Sequence, residues 1–186
     1  MKIYFLDKSK AKMSFMKKYF QDEDVEFVCD DLQAFLEKTP VECVVSPANA
    51  FGLMDGGYDF FIIRYFGEQL QTRVQEYIIK NYGGEQPLGT SFLIKANEKG
   101  QSLINTPTMQ TPRAIKDPFI VYQCMRSTLL CAKKHKVKSI VIPLFGCGTG
   151  KVHPQIIAEM MSKAYDQVNN PPKQLNWDYA FETEIR

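Results

Sequence analysis

The chain has 186 residues, 45% of them hydrophobic and 24% charged, with a formal net charge of +2. That is enough for one domain with a real core, and nothing in the overall charge calls for nucleic acid or a membrane surface. No apolar run approaches the roughly 20 residues of a spanning helix, and the apolar stretch between Lys2 and Lys8 is too short for a secretory signal. A cytosolic chain is expected, with a nuclear location equally allowed.

In chain order, residues 2–6 read as a first strand and 9–20 as a short helix with Met13, Phe15, Met16 and Phe20 partly on one face. Residues 25–29 form a second strand that stops at Asp30 and Asp31, whose carboxylates suit the cap of a helix marked by Leu32, Phe35 and Leu36. Residues 42–46 are a third, buried strand. A loop with Pro47, Asn49, Gly52, Asp55, Gly56 and Gly57 follows it. From Asp59 a single long helix is expected to run to about Asn81, on the spacing of Ile62, Ile63, Phe66, Leu70, Val74, Tyr77 and Ile78. Gly83 and Gly84 then stop it.

Residues 90–94 and 102–105 are close enough to pair as a hairpin, so the sheet should be mixed. Residues 106–118 contain three prolines and no periodicity, and so long a loop in a compact domain is more often functional than accidental. A helix opens at Asp117 and Pro118 and runs to about His135. Residues 138–144 are a buried strand, followed by a second glycine loop, Gly146, Cys147, Gly148, Thr149, Gly150 and Lys151. The last helix, residues 154–168, repeats apolar pairs at Ile156/Ile157, Met160/Met161 and Ala164/Tyr165. The tail, 169–186, holds Trp177, Tyr179 and Phe181, which argue that it packs on the domain or on a partner.

This order gives an α/β fold of three layers, α/β/α, with helices on both faces of a mixed sheet of about six strands, over residues 1–168. If the strands ahead of the two glycine loops are neighbours, the loops meet beyond their carboxyl ends, where such folds bind ligands. The five cysteines form no CxxC pair, and His135 and His153 have no ligand at metal spacing, so neither a disulfide framework nor a metal site is expected.

A strand, a glycine loop and a helix together offer free backbone N–H groups and a positive helix end to a phosphate. The first loop also holds an amide and two carboxylates, which suit a ligand with sugar hydroxyls as well as phosphates. Taken singly, Asn49 suits a turn cap, Asp59 a helix cap and the second loop a tight turn. The second loop is neither GxxxxGK[ST] nor GxGxxG with a distant acid, so it is a poor match to the P-loop and dinucleotide fingerprints. Lys133, Lys134, Lys136 and Lys138 lack interleaved aromatics and read as a solvated helix end, so a single-stranded nucleic-acid binder is the least favoured function.

The stretch SPANAFGLMDGGYDFFIIR resembles the macrodomain pattern, in which a strand ends in Asn-Ala-Ala-Asn and leads through a glycine loop to Val-Asp and a helix. PLFGCGTGKVHP is similar to that family's phosphate loop, and Asp30-Asp31 falls where the family has Gly-Asp-Ile. Departures are Ser46 and Pro47 at the first asparagine, Asp55 for a glycine, and Gly-Cys-Gly for Ser-Thr-Gly.

The resemblance implies ADP-ribose, free or on a modified protein, as the partner, with no cofactor, no metal, no membrane and a monomeric chain. It implies that Asp31, or Asp30 in a shifted register, reads the adenine amino group. Ser46, Ala48, Asn49, Gly56, Gly57 and Tyr58 would surround the distal ribose, and Gly146, Cys147, Gly148, Thr149 and Gly150 would hold the diphosphate. The family's usual aromatic at that ribose is missing, with Phe51, Tyr58 or His153 as substitutes. Asp59 would act catalytically with Asn49, orienting a water at the anomeric carbon of an oxocarbenium-like transition state. Hydrolysis of a protein- or ester-linked ADP-ribose and non-catalytic reading of ADP-ribose or a related nucleotide are the two functions implied.

Overall fold

The computed structural model describes residues 1–185. Its strands are β1 (Lys2–Leu6), β2 (Val25–Val28), β3 (Cys43–Ser46), β4 (Phe92–Lys95), β5 (Ser102–Asn105) and β6 (Ser139–Pro143). They form one sheet in the order β2-β1-β6-β3-β5-β4. All neighbours are parallel except β4 and β5, which form the antiparallel hairpin. The sheet is therefore mixed and six-stranded, as the closeness of residues 90–94 and 102–105 implied.

Helices α1 (Lys10–Tyr19), α5 (Phe119–Lys134) and α6 (Pro154–Asn169) cover one face, with Met16, Met125 and Met161 packed on Phe5, Cys43 and Ile140. Helices α2 (Leu32–Lys38), α3 (Gly57–Phe66) and α4 (Gln69–Tyr82) cover the other, with Phe35, Ile62 and Val74 packed on Val44, Leu103 and Val141. Alternate residues of β3 and β6 thus enter opposite cores. That explains why residues 43–45 and 140–143 are apolar in succession instead of alternating with polar residues.

Local chemistry fixes the helix ends. Ser9 accepts from the Lys12 N–H at the start of α1, Asp31 from the Ala34 N–H at the start of α2, and the His153 ring from the Gln155 N–H ahead of Pro154. Gly83, with φ of 67°, ends α4 while Gly83 and Gly84 donate to Ile79 and Ile78.

The expected single helix from Asp59 to Asn81 is instead two, α3 and α4. The chain breaks at Gly67, whose φ of 92° leaves helical space, and the Leu70 N–H turns back to the Gly67 carbonyl. The tail carries a short helix of its own. In α7 (Trp177–Glu182) the rings of Trp177 and Phe181 stack on each other, with Trp177 77% exposed. The tail meets the domain through Tyr179, which accepts from Gln167, and through Ile185 against the first core.

The long loop is ordered because it prolongs the β3–β5 pairing. Thr106 and Thr108 donate to Ser46 and Ala48, and Ala50 donates to Met109. Farther on, Ile115 donates to the Gly150 carbonyl. The loop therefore spans from the first glycine loop to the second.

Buried Gln86 holds the adjoining turn. Its amide donates to Asn105 and Thr90, and Asn105 donates back at 2.8 Å. Gln86→Ala should cost about 1–3 kcal/mol, because it strands the buried Asn105 amide. Urea unfolding should show a lower midpoint with an unchanged slope.

Candidate active site

Strands β3 and β6 are parallel neighbours, with Cys43 opposite Ile140 and Val44 opposite Val141. Their following loops consequently leave the same edge of the sheet. Between them lies a cavity of about 510 Å³. Ala48, Asn49, Gly56, Gly57, Tyr58 and Asp59 line one side, and Gly146, Cys147, Gly148, Thr149 and Gly150 the other. Asp30 and Asp31 close one end. All the expected site residues except Ser46 thus border one space.

Ser46 lies beneath the cavity instead of bordering it. It is fully buried, and its hydroxyl donates to Asp59 Oδ1 at 2.7 Å. Asp59 sits in the first turn of α3 without capping it, since its carboxyl turns to Ser46. Burial pushes that carboxyl up to about 7, and the Ser46 hydrogen bond opposes the shift only in part. The neighbouring Tyr58 hydroxyl is also buried, with no hydrogen-bond partner among the described residues. Burial, and then the charges of Asp59 and Asp7, push that phenol up.

Asn49 spends its amide on its own loop. Its Oδ1 accepts from Phe51 and Leu53, and its Nδ2 donates to Leu53 at 2.7 Å. One amide hydrogen is left for a ligand. Asp31 caps α2 through Oδ1. Asp30 accepts from the Asp31 N–H and pairs with Lys38, which together hold its carboxyl below the usual range.

The donors available to an anion are backbone groups. Gly56 begins α3 with no side-chain cap, leaving first-turn N–H groups at the cavity. In the second loop the Cys147 N–H is taken by Leu144, whereas those of Gly146, Gly148, Thr149 and Gly150 find no acceptor among the described residues. Gly146 needs its φ of 76°, and a side chain on Gly150 would lie 2.6 Å from the Gly146 carbonyl oxygen.

Sequence reasoning missed a third wall. Asp7, Lys8 and Lys12, from the end of β1 and the start of α1, border the cavity, as do Phe61, Thr108 and Met109. Since β1 lies beside β6 in parallel, its carboxyl end belongs at the same edge, and the edge rule applied to β1 would have found them. Of the aromatics considered for the missing ring, Tyr58 borders the cavity and Phe61 joins it. Phe51 and His153 are not among its lining residues. Among the described residues no helix is long and apolar enough to cross a membrane, and no three acidic, cysteine or histidine side chains group to hold a metal.

The raised Asp59 carboxyl has a consequence for stability. The folded chain holds a proton that the unfolded chain releases near pH 4, so this group's contribution is greatest below that and is lost as pH rises through about 7. Asp59→Asn should remove a decline of the order of 4 kcal/mol at most. Urea unfolding of both proteins at pH 5 and pH 8 checks it: wild type should lose more stability than the variant over that interval.

A family model described as Macro domain matches residues 45–161. An uncharacterized protein of Aquifex aeolicus is 30% identical over 127 residues, covering 68% of this chain and 73% of its own. The fold is shared with the macrodomain of Mycobacterium tuberculosis DarG, with a TM-score of 0.60 at 20% identity over 70% of this chain and 85% of that one. The Oceanobacillus iheyensis macrodomain with ADP gives a TM-score of 0.62 at 22% identity, over 72% of this chain and 73% of that one. A mutant of the same macrodomain, solved with ADPR, gives 0.60 at 22% identity, over 71% and 73%. The chain belongs to the Macro domain family.

Proposed function

We propose that this protein binds ADP-ribose between its two glycine loops and hydrolyses it from a modified protein or a small ADP-ribose ester. The single observation behind the catalytic half is Asp59, a carboxyl in the cavity wall, held by Ser46 and with burial pushing it up to about 7. A group that titrates near neutrality can take a proton from an attacking water, and a general base must do that. The family, the size of the cavity and the unspent N–H groups of the second loop support the ligand.

In this reading the free oxygen of Asp31, or Asp30 beside it, accepts from the adenine amino group. The N–H groups of Gly146, Gly148, Thr149 and Gly150 hold the diphosphate. The bare start of α3, with the remaining amide hydrogen of Asn49, faces the distal ribose. Gly56 and Gly57 let the sugar approach the backbone closely. Asp59 then draws a water onto the anomeric carbon, where positive charge develops as the bond to the attached group breaks.

Non-catalytic reading of ADP-ribose is the second function, and two observations favour it. Asp59 is only 7% exposed, and Asn49 is largely spent on its own loop.

Calorimetric titration of ADP-ribose into wild type and Asp59→Ala, with a release assay on ADP-ribosylated substrates, separates the two. Hydrolysis predicts comparable binding by both proteins and a fall in release of about 10²-fold or more in the variant. Wild-type release should rise with pH through about 7, following the ionised fraction of Asp59. Binding by wild type with no release from any substrate makes the protein a reader, and absence of binding removes the ADP-ribose assignment altogether.

A further inference from the structure

The cavity is poorly matched in charge to a diphosphate. Five aspartates border it, namely Asp7, Asp30, Asp31, Asp55 and Asp59, against two lysines, Lys8 and Lys12. The lysines differ in their surroundings. Lys8 Nζ lies 5.2 Å from the centre of the Phe61 ring, near the start of α3. Lys12 is in the first turn of α1, with Nζ 3.3 Å from Asp7 Oδ2 and near Cys147 of the second glycine loop. Burial works against its charge, but Cys147 and Asp7 outweigh this and hold Lys12 above the ordinary lysine value. Lys12 is therefore a fixed cation, one side chain away from the N–H groups that remain unpaired in that loop.

We propose that Lys12 is a diphosphate-binding residue, held by Asp7 at the cavity wall and turned onto the phosphates when ligand enters. A lysine ammonium has three donors, and Asp7 uses one. A phosphate oxygen can take one of the others in a charge-assisted bond. Asp7 competes with the ligand for this cation. It also presents its own negative charge to the phosphates, so Asp7 opposes binding while Lys12 promotes it. Both residues precede the segment matched by the family model, so this cation is supplied by the β1–α1 unit. The proposal rests on the Proposed function for the identity of the ligand, but not for its charge.

The test titrates ADP-ribose, inorganic pyrophosphate and adenosine into wild type, Lys12→Gln, Lys12→Arg and Asp7→Asn, at low and high salt. Lys12→Gln should weaken ADP-ribose and pyrophosphate about tenfold or more, leave adenosine unchanged, and lose much of the salt dependence. Lys12→Arg should stay within about threefold of wild type, because the charge is kept. Asp7→Asn should tighten ADP-ribose by a few-fold, since an asparagine oxygen still accepts from Ser9 but no longer competes for the ammonium. Weakening by both Lys12→Gln and Asp7→Asn would mark the pair as structural and overturn the proposal, as would unchanged affinity in Lys12→Gln. Lys12-dependent binding of pyrophosphate without binding of ADP-ribose would uphold Lys12 and overturn the ADP-ribose reading. Binding of neither by wild type would overturn both.

Discussion

Because the ladder between β3 and β6 is parallel and aligns Cys43 with Ile140 and Val44 with Val141, the loops after these strands must emerge at one edge, however far apart they lie in the chain. Both strands are buried on both faces, so neither can shift without moving residues between two separate cores. The cavity follows from that constraint. It is a gap between two pieces of backbone held apart by a sheet. In the second loop the chain at Gly146 and Gly150 passes too close to its neighbours for a side chain. A binding surface made of N–H groups depends little on side-chain identity, which fits the departures of the second loop from the usual family pattern.

Burial sets the chemistry at the other loop. Burial raises the Asp59 carboxyl and only the Ser46 hydroxyl opposes it, so the group is neutralised more easily than an exposed one. Ser46 suits both states, since a hydroxyl can donate to a carboxylate or accept from a carboxylic acid. The contact between the end of β3 and the start of α3 can thus persist while Asp59 gains or loses its proton. A lysine or arginine in place of Ser46 would hold the carboxylate ionised and remove that freedom.

Much of this was legible in the sequence, for identifiable reasons. An apolar run ending in glycines fixes both a buried strand and its loop, so β3, β6 and the residues around Asn49 and Gly146 could be placed together. The break at Gly67 was hidden because Ile62, Phe66, Leu70 and Val74 keep a four-residue spacing across it, and one glycine is tolerated inside a helix. The place of Ser46 was hidden because strand periodicity does not say how deep a residue lies beside a helix that folds back over it. Asp7 and Lys12 looked like ordinary charges at a strand end and a helix start. Only the position of β1 beside β6 gives them a role, and strand order is a long-range fact that no local pattern encodes.

The proline-bearing loop joins these parts. A cavity walled by two glycine loops lacks the side-chain packing that normally stiffens a wall, and free glycine loops would lose much conformational entropy on ordering around a ligand. Residues 106–118 supply the missing support. The loop pairs with Ala48 and Ala50 at one end and with Gly150 at the other, and the Ile115 side chain lies against both Gly146 and Gly150. Pro107, Pro112 and Pro118 reduce the freedom the segment loses on folding. The segment without periodicity is therefore the one that holds both ligand-facing loops in place before any ligand arrives, and its cost is met during folding instead of during binding.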